Sequence, residues 1–308
     1  MSVPIGTVPD MDPRIDLPLR SVAEHSLSPP ELSPWLRDLP AVRDVLSGFE
    51  FDRTTVFVGE NGSGKSTIIE AIATALDLPH GGGSGWEVRD HVEAPPELSE
   101  HLQIVRGATT NRSGFFLRAE TMHENMAYLM SVGSARGLHY AQRSHGEMFV
   151  DMLTSRFMDL GLWILDEPES ALSFTASLTL LQLIRERRRK GLQTVMATHS
   201  PILARATEAK IVEAGDWGLR ESRWEDLTMV DHWRRFLHDP QRYLRYLDEE
   251  CSKRRPDRTR AVGRRCDQSR HSPQQPVRGY RLPPRRRADR PHDRSEPEEE
   301  IAHRDDHS

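Results

Sequence analysis

The chain has 308 residues, 36% of them apolar and 29% charged, with a formal net charge of −5. That length holds one large α/β domain or two small ones. No apolar run approaches the roughly 20 residues a membrane helix needs, and Met1–Pro13 lacks the basic start and apolar core of a secretion signal.

Charge is spread unevenly. Of the 42 Lys and Arg and the 47 Asp and Glu, 16 and 10 lie between Cys251 and Ser308, leaving Met1–Glu250 with a balance of −11. An acidic main domain argues against nucleic-acid binding by its whole surface, while leaving room for a local basic patch. Both cysteines, Cys251 and Cys266, lie late in the chain. The region before them therefore has no disulfide framework and no thiolate metal site, and a cytoplasmic protein is the simplest reading.

Residues 1–33 are Pro-rich with little periodicity and read as irregular. Beyond Trp35 the pattern alternates between strand and helix. Thr55–Val58 reads as a buried strand, and the residues from Thr67 to Leu76 read as a helix. Between them stands Gly59-Glu60-Asn61-Gly62-Ser63-Gly64-Lys65-Ser66-Thr67, which fits the phosphate-binding P-loop pattern at every fixed position. Its glycines let backbone N–H groups turn inward as an anion nest, and the helix start adds partial positive charge. Lys65 would reach the β- and γ-phosphates and the Ser66 hydroxyl would ligate Mg²⁺.

Further strands are expected at Gly114–Arg118, Leu162–Leu165, Thr194–Thr198 and Ile211–Glu213. Helices are expected at Glu124–Ser131, His145–Leu160, Phe174–Arg189, Pro201–Ala206 and His232–Glu249. This alternation predicts a mainly parallel sheet flanked by helices.

Ser144 and Gly146 open the helix at His145. A hydroxyl and free N–H groups at a helix start form an anion site, and Ser144 with Glu147 also fits a capping box. The strand at Leu162 ends in Asp166 and Glu167. In P-loop enzymes an acid so placed holds Mg²⁺, which falls to Asp166, and Glu167 is placed to polarise a water in line with the γ-phosphate. His199 follows the strand at Thr194, on the rim where open α/β sheets bind ligands.

The run Arg185-Glu186-Arg187-Arg188-Arg189-Lys190 ends a helix just before Gly191, where cations complement the dipole and glycine caps. Residues 251–308 hold few large apolar side chains and read as a disordered Arg- and Pro-rich tail. The expected organisation is an irregular segment over 1–33, a P-loop domain over 34–250 and the tail.

These four segments, in this order, resemble the ABC-type ATPase superfamily. Within it the chain is similar to a group of compact bacterial ATPases, labelled AAA-family, that carry the signature as S-H-G-E and a Phe-Phe-x-Arg-Ala-Glu stretch. Here these read Ser144-His145-Gly146-Glu147 and Phe115-Phe116-Leu117-Arg118-Ala119-Glu120. The resemblance runs from about Trp35 to Leu247, including Trp224-Glu225-Asp226 and Phe236–Leu244.

It implies an α/β P-loop NTPase fold with an ABC-ATPase-like sheet, ATP and Mg²⁺ as cofactors, and ATP hydrolysis. Residues Gly59–Thr67 become the Walker A loop, Asp166 and Glu167 close Walker B, and His199 is the switch histidine. Ser144 and Gly146 would contact the γ-phosphate of ATP held by a second subunit, giving an ATP-dependent homodimer. Ser173 stands where the D-loop usually has Asp. Glu120 stands where a Gln usually helps to hold Mg²⁺, and is either a metal ligand or structural. Trp35 either stacks on adenine or packs in the core. The resemblance leaves three readings of the work done: driving an unknown soluble protein partner, energising a membrane transporter, or an armless DNA-repair type of ATPase. Only 76 residues separate Thr67 from Ser144, without the heptads of a coiled-coil arm.

Overall fold

The computed structural model describes residues 14–27, 31–78, 83–84, 96–109, 111–118, 145–206 and 208–245. In chain order the elements are β1 (Ser21–Glu24), α1 (Pro34–Arg37), α2 (Pro40–Ser47), β2 (Phe49–Glu50), β3 (Thr54–Gly59), α3 (Lys65–Ala75), β4 (Gly83–Ser84), α4 (Glu97–Glu100), β5 (Leu102–Val105) and β6 (Gly114–Arg118). They continue with α5 (His145–Met152), β7 (Leu162–Asp166), α6 (Phe174–Arg189), β8 (Gln193–Thr198), β9 (Lys210–Gly215), β10 (Gly218–Glu221) and α7 (Thr228–His238).

The seven-stranded sheet runs β10-β9-β3-β8-β7-β6-β4. Its five inner strands are parallel, and β10 and β4 pair antiparallel at the two edges. Parallel strands covered on both faces read as continuous apolar runs rather than alternating ones, as Leu162-Trp163-Ile164-Leu165 does. The pleat then sends neighbours to opposite faces. Phe57, Ile164, Val195 and Val212 enter one core with α2 and α3, while Val56, Trp163, Leu165, Met196 and Ile211 enter another with α5 and α6.

Local chemistry sets the ends of α6. The Ser173 hydroxyl accepts the Ala176 N–H at 3.2 Å as an N-cap. At the other end Gly191 takes φ +79°, Gly191 N–H donates to the Arg188 carbonyl and Leu192 N–H to that of Arg187, the Schellman arrangement that a glycine permits.

Five expectations need adjustment. The Pro-rich composition points to an irregular segment over 1–33, yet β1 pairs with β2 and β5 in a small antiparallel sheet. Leu17, Leu19, Val22 and Leu32 are buried there, and burial of these apolar side chains offsets the ordering entropy that composition alone suggested would win. The helix expected from His145 to Leu160 is α-helical only to Met152 and continues as a π-type turn over Leu153–Phe157. The segment Pro201–Ala206 holds only a 3-10 turn at Leu203–Arg205. Helix α7 starts at Thr228 and breaks at Asp239 before Pro240, and helical structure resumes over residues 241–245. Trp35, for which core packing was one alternative, is 64% exposed on α1.

The helix expected at Glu124–Ser131 and the tail from residue 251 lie outside the described residues. Among the described residues no helix is long and apolar enough to cross a membrane.

Candidate functional site

The site is built from the C-terminal ends of three adjacent parallel strands, β3, β8 and β7. Strand β3 leads into the P-loop through Gly59, and a Cβ at that position would lie 2.4 Å from the Ala214 carbonyl oxygen on β9. Only glycine lets the two backbones approach so closely. Gly62 and Gly64 take φ of +80° and +91°, and Gly64 is the N-cap of α3. The side chains of Leu39, Ala41 and Val42 pack beneath Gly64, so α2 supports the loop from below.

Lys65 is 3% exposed. Its Nζ donates to the Glu60 carbonyl at 2.9 Å and to Ser63 Oγ at 3.4 Å. Burial lowers its pKa, opposed by the carboxylates of Glu167, Asp166, Glu169 and Glu60. The ammonium thus sits inside its own loop, held by oxygens that phosphate oxygens can replace.

Ser66, also on the first turn of α3, donates its hydroxyl to Asp166 Oδ1 at 3.1 Å. This contact reaches across β8 and joins residues 100 apart in sequence. Asp166 is buried at the end of β7, and burial raises its pKa to about 7, against the lowering effect of the Ser66 hydrogen bond. A buried carboxylate beside a hydroxyl, both at the mouth of an anion nest, suits a hard divalent cation. Mg²⁺ takes one or two protein oxygens and completes its shell with phosphate and water, so this donor pair fits it.

Glu167 follows with φ +47° and ψ +48°, a left-handed conformation that few non-glycine residues adopt. Its N–H donates to the Ala197 carbonyl on β8 at 3.0 Å, and a 3-10 turn begins at Pro168. His199 leaves the end of β8. Its Nε2 lies 3.0 Å from Glu167 Oε1, but the angle is off the line of a directed hydrogen bond, so the buried Nε2 is close to a carboxylate without being bonded to it.

Two features escaped the sequence reading. Glu169 accepts the backbone N–H of His199 through Oε1, and its Oε2 is buried without a hydrogen-bond partner among the described residues. Arg118 donates to Glu70 at 2.9 Å, beside Asp166 in the register of β6 and β7. Glu169 is adjacent to the acid pair and could have been suspected from that; nothing local marks the Arg118–Glu70 bond.

The structure therefore brings Gly59, Glu60, Asn61, Gly62, Ser63, Gly64, Lys65, Ser66, Thr67, Asp166, Glu167 and His199 to one rim. Gly146 lies in the first turn of α5. Ser144 and Glu120 lie outside the described residues.

A strand, a Gly-rich loop and a helix start in this order, facing an acid at the end of a nearby parallel strand, define a P-loop nucleotide-binding domain. A family model described as an AAA domain matches residues 45–85. A cytochrome c biogenesis ATP-binding export protein from Rhizobium johnstonii is 30% identical over 193 residues, 53% of this chain and 86% of the relative. An uncharacterised ABC transporter ATP-binding protein from Haemophilus influenzae is 25% identical over 182 residues, 52% of this chain and 69% of the relative. A solved dimeric bacterial ABC transporter cassette is 17% identical, with a TM-score of 0.33, over 58% of this chain and 90% of that one. The chain belongs to the ABC-type P-loop ATPases. It is an ATP-binding protein and an ATPase.

Proposed function

We propose that this ATPase works by ATP-dependent head-to-tail dimerisation, and that closing and opening of the dimer acts on a protein partner. The observation that carries the reading is the gathering of Lys65, Ser66, Asp166, Glu167 and His199 on one rim; the N-terminal turn of α5 would supply the remaining phosphate-binding surface.

On this reading Lys65 leaves the Glu60 carbonyl and Ser63 Oγ for the β- and γ-phosphate oxygens. Ser66 and Asp166 would hold Mg²⁺, which when bound neutralises charge on the phosphates. Glu167 accepts a proton from water as the water oxygen attacks the γ-phosphorus and the bond to ADP breaks. His199, fixed through its backbone by Glu169, orients that water and contacts the γ-phosphate. Ser144 and Gly146 of a second copy seal the nucleotide. Binding free energy then appears as dimer closure, because neither surface alone encloses the phosphate. Trp35, exposed on α1, is available to stack on adenine, and Glu120 to add a metal ligand. The membership in the compact S-H-G-E subgroup and a cytoplasmic location belong to the same proposal.

The partner is read in two ways. The signature without L-S-G-G-Q favours a soluble protein. The names of the relatives, which are transporter ATP-binding proteins, favour the energising subunit of a membrane transporter. One variant tests both. Glu167→Gln should bind ATP, lose turnover and elute as a dimer in size-exclusion chromatography with saturating ATP. A protein that stays monomeric there would remove the dimer mechanism, and a pull-down with the trapped form separates a permease from a soluble partner.

A further inference from the structure

The run Arg185-Glu186-Arg187-Arg188-Arg189-Lys190 packs five cations into six residues, and the helical period sorts them. Arg187 turns inward. It is fully buried, lies over the Trp163 ring at 4.0 Å and donates to the carbonyls of Met158, Leu160 and Gln193. Glu186 and Lys190 pair along the surface at 3.4 Å. Arg185, Arg188 and Arg189, spaced i, i+3 and i+4, are left on one helix face.

With Arg53 and Glu208 these three line a cavity of about 350 Å³. Four guanidinium groups share it with one carboxylate. Arg188 Nε donates to Glu208 at 2.8 Å, which holds the Glu208 carboxyl below its usual range, while Arg188 Nη1 is enclosed without a hydrogen-bond acceptor among the described residues. Arg53 donates to Asp16 at 3.0 Å and to the Gly191 carbonyl.

The helix dipole accounts for cations near the end of α6, but not for their convergence. The carbonyls of Glu186, Arg187 and Arg188 are already taken by the N–H groups of Lys190, Leu192 and Gly191. Arg185 and Arg189 add two positive charges to the Arg53–Asp16 and Arg188–Glu208 ion pairs; like charges so gathered repel one another, and an anion in the cavity relieves that repulsion.

The cavity lies at the opposite end of the sheet from the P-loop. Arg53 precedes β3, and Arg189 stands shortly before β8, so the arginines gather where the parallel strands begin. A six-residue strand separates the two ends by roughly 17–20 Å.

We propose that this cavity is a second anion site, built for a small phosphate-bearing molecule. A guanidinium fork matches phosphate oxygens two at a time. A volume of about 350 Å³ suits one or two phosphoryl groups, and the net negative charge of the rest of the domain disfavours a long nucleic-acid strand.

The test uses the full chain carrying Lys65→Ala, without magnesium, so that the P-loop lysine does not hold the probe. Inorganic pyrophosphate is titrated by calorimetry. The expected result is saturable one-to-one binding that weakens with salt. Arg185→Gln with Arg189→Gln, two exposed positions, weakens it by at least about tenfold. Glu208→Gln, which removes the carboxylate lining the cavity, strengthens it. Absence of saturable heat, or equal affinity in the double variant with an unchanged melting temperature, overturns the proposal. A single-stranded oligonucleotide that binds more tightly than pyrophosphate through the same arginines overturns its assignment to a small molecule. A parallel ATP titration of the Arg185→Gln, Arg189→Gln protein with Lys65 intact reports on the P-loop separately, so failure of the nucleotide reading is told apart from failure of this one.

Discussion

His199 Nε2 lies 3.0 Å from Glu167 Oε1, although the two residues close different strands. Two restraints make this approach reproducible. Glu167 is locked in a left-handed conformation with its N–H on the Ala197 carbonyl, and the His199 N–H is held by Glu169. Strain of this kind costs on the order of 1–3 kcal/mol and persists where the surroundings over-determine it. Removing the imidazole should therefore damage turnover more than binding. His199→Ala is expected to lower kcat about 100-fold with little change in KM for ATP. Steady-state ATPase assays decide this, and an unaltered kcat would remove His199 from the chemistry.

Asp166 gives a prediction with a defined sign. Burial raises its folded pKa to about 7. Above that pH the carboxylate is ionised in both states, and only the folded state carries the desolvation cost. Below about pH 4 both states are protonated and the cost vanishes. Asp166→Asn should thus stabilise the nucleotide-free protein at pH 8, by roughly 2–4 kcal/mol, with the gain fading toward pH 4. Thermal melts across that range check it; a gain that is flat with pH would exclude the carboxylate as its source.

Arg187 anchors the opposite end of β8. Its guanidinium serves three carbonyls and covers Trp163. Arg187→Met keeps much of the volume but strands those acceptors, so the expected loss is about 2–4 kcal/mol. Urea denaturation measures it, and a loss below about 0.5 kcal/mol would mean that water replaces the guanidinium at no cost.

Gln193 ties the N-terminal segment to the sheet. Its Nε2 donates to the Leu19 carbonyl at 2.7 Å and its Oε1 accepts the Leu19 N–H at 2.9 Å, so an amide side chain imitates a strand neighbour. Gln193→Ala should cost about 1–3 kcal/mol and speed hydrogen exchange over Leu19–Glu24 selectively. Exchange that rises equally across β3 and β8 would instead indicate general loosening.

The reach of the sequence reading follows from the range of the interactions involved. Strands β3, β6, β7 and β8, helix α6 and its glycine stop were legible because each depends on contiguous residues. The same holds for the P-loop, whose strand, glycines and helix start adjoin one another. Glu169 was overlooked because a carboxylate after Pro168 shows no role until β8 brings the His199 N–H to it. The N-terminal segment was misjudged because its prolines are visible locally while its partners, Gln193 and the buried face above α2, are not.

Sequence by itself determined the P-loop pattern, the acid pair that ends β7, and where most strands and helices lie. Those are matters of short-range stereochemistry. Only the tertiary structure decided that β8 lies between β3 and β7, which lets Ser66 meet Asp166 and His199 approach Glu167. It also sent Arg187 into the core while turning its neighbours toward a shared cavity. Strand order and side-chain convergence arise from contacts between distant segments, and no local pattern encodes them.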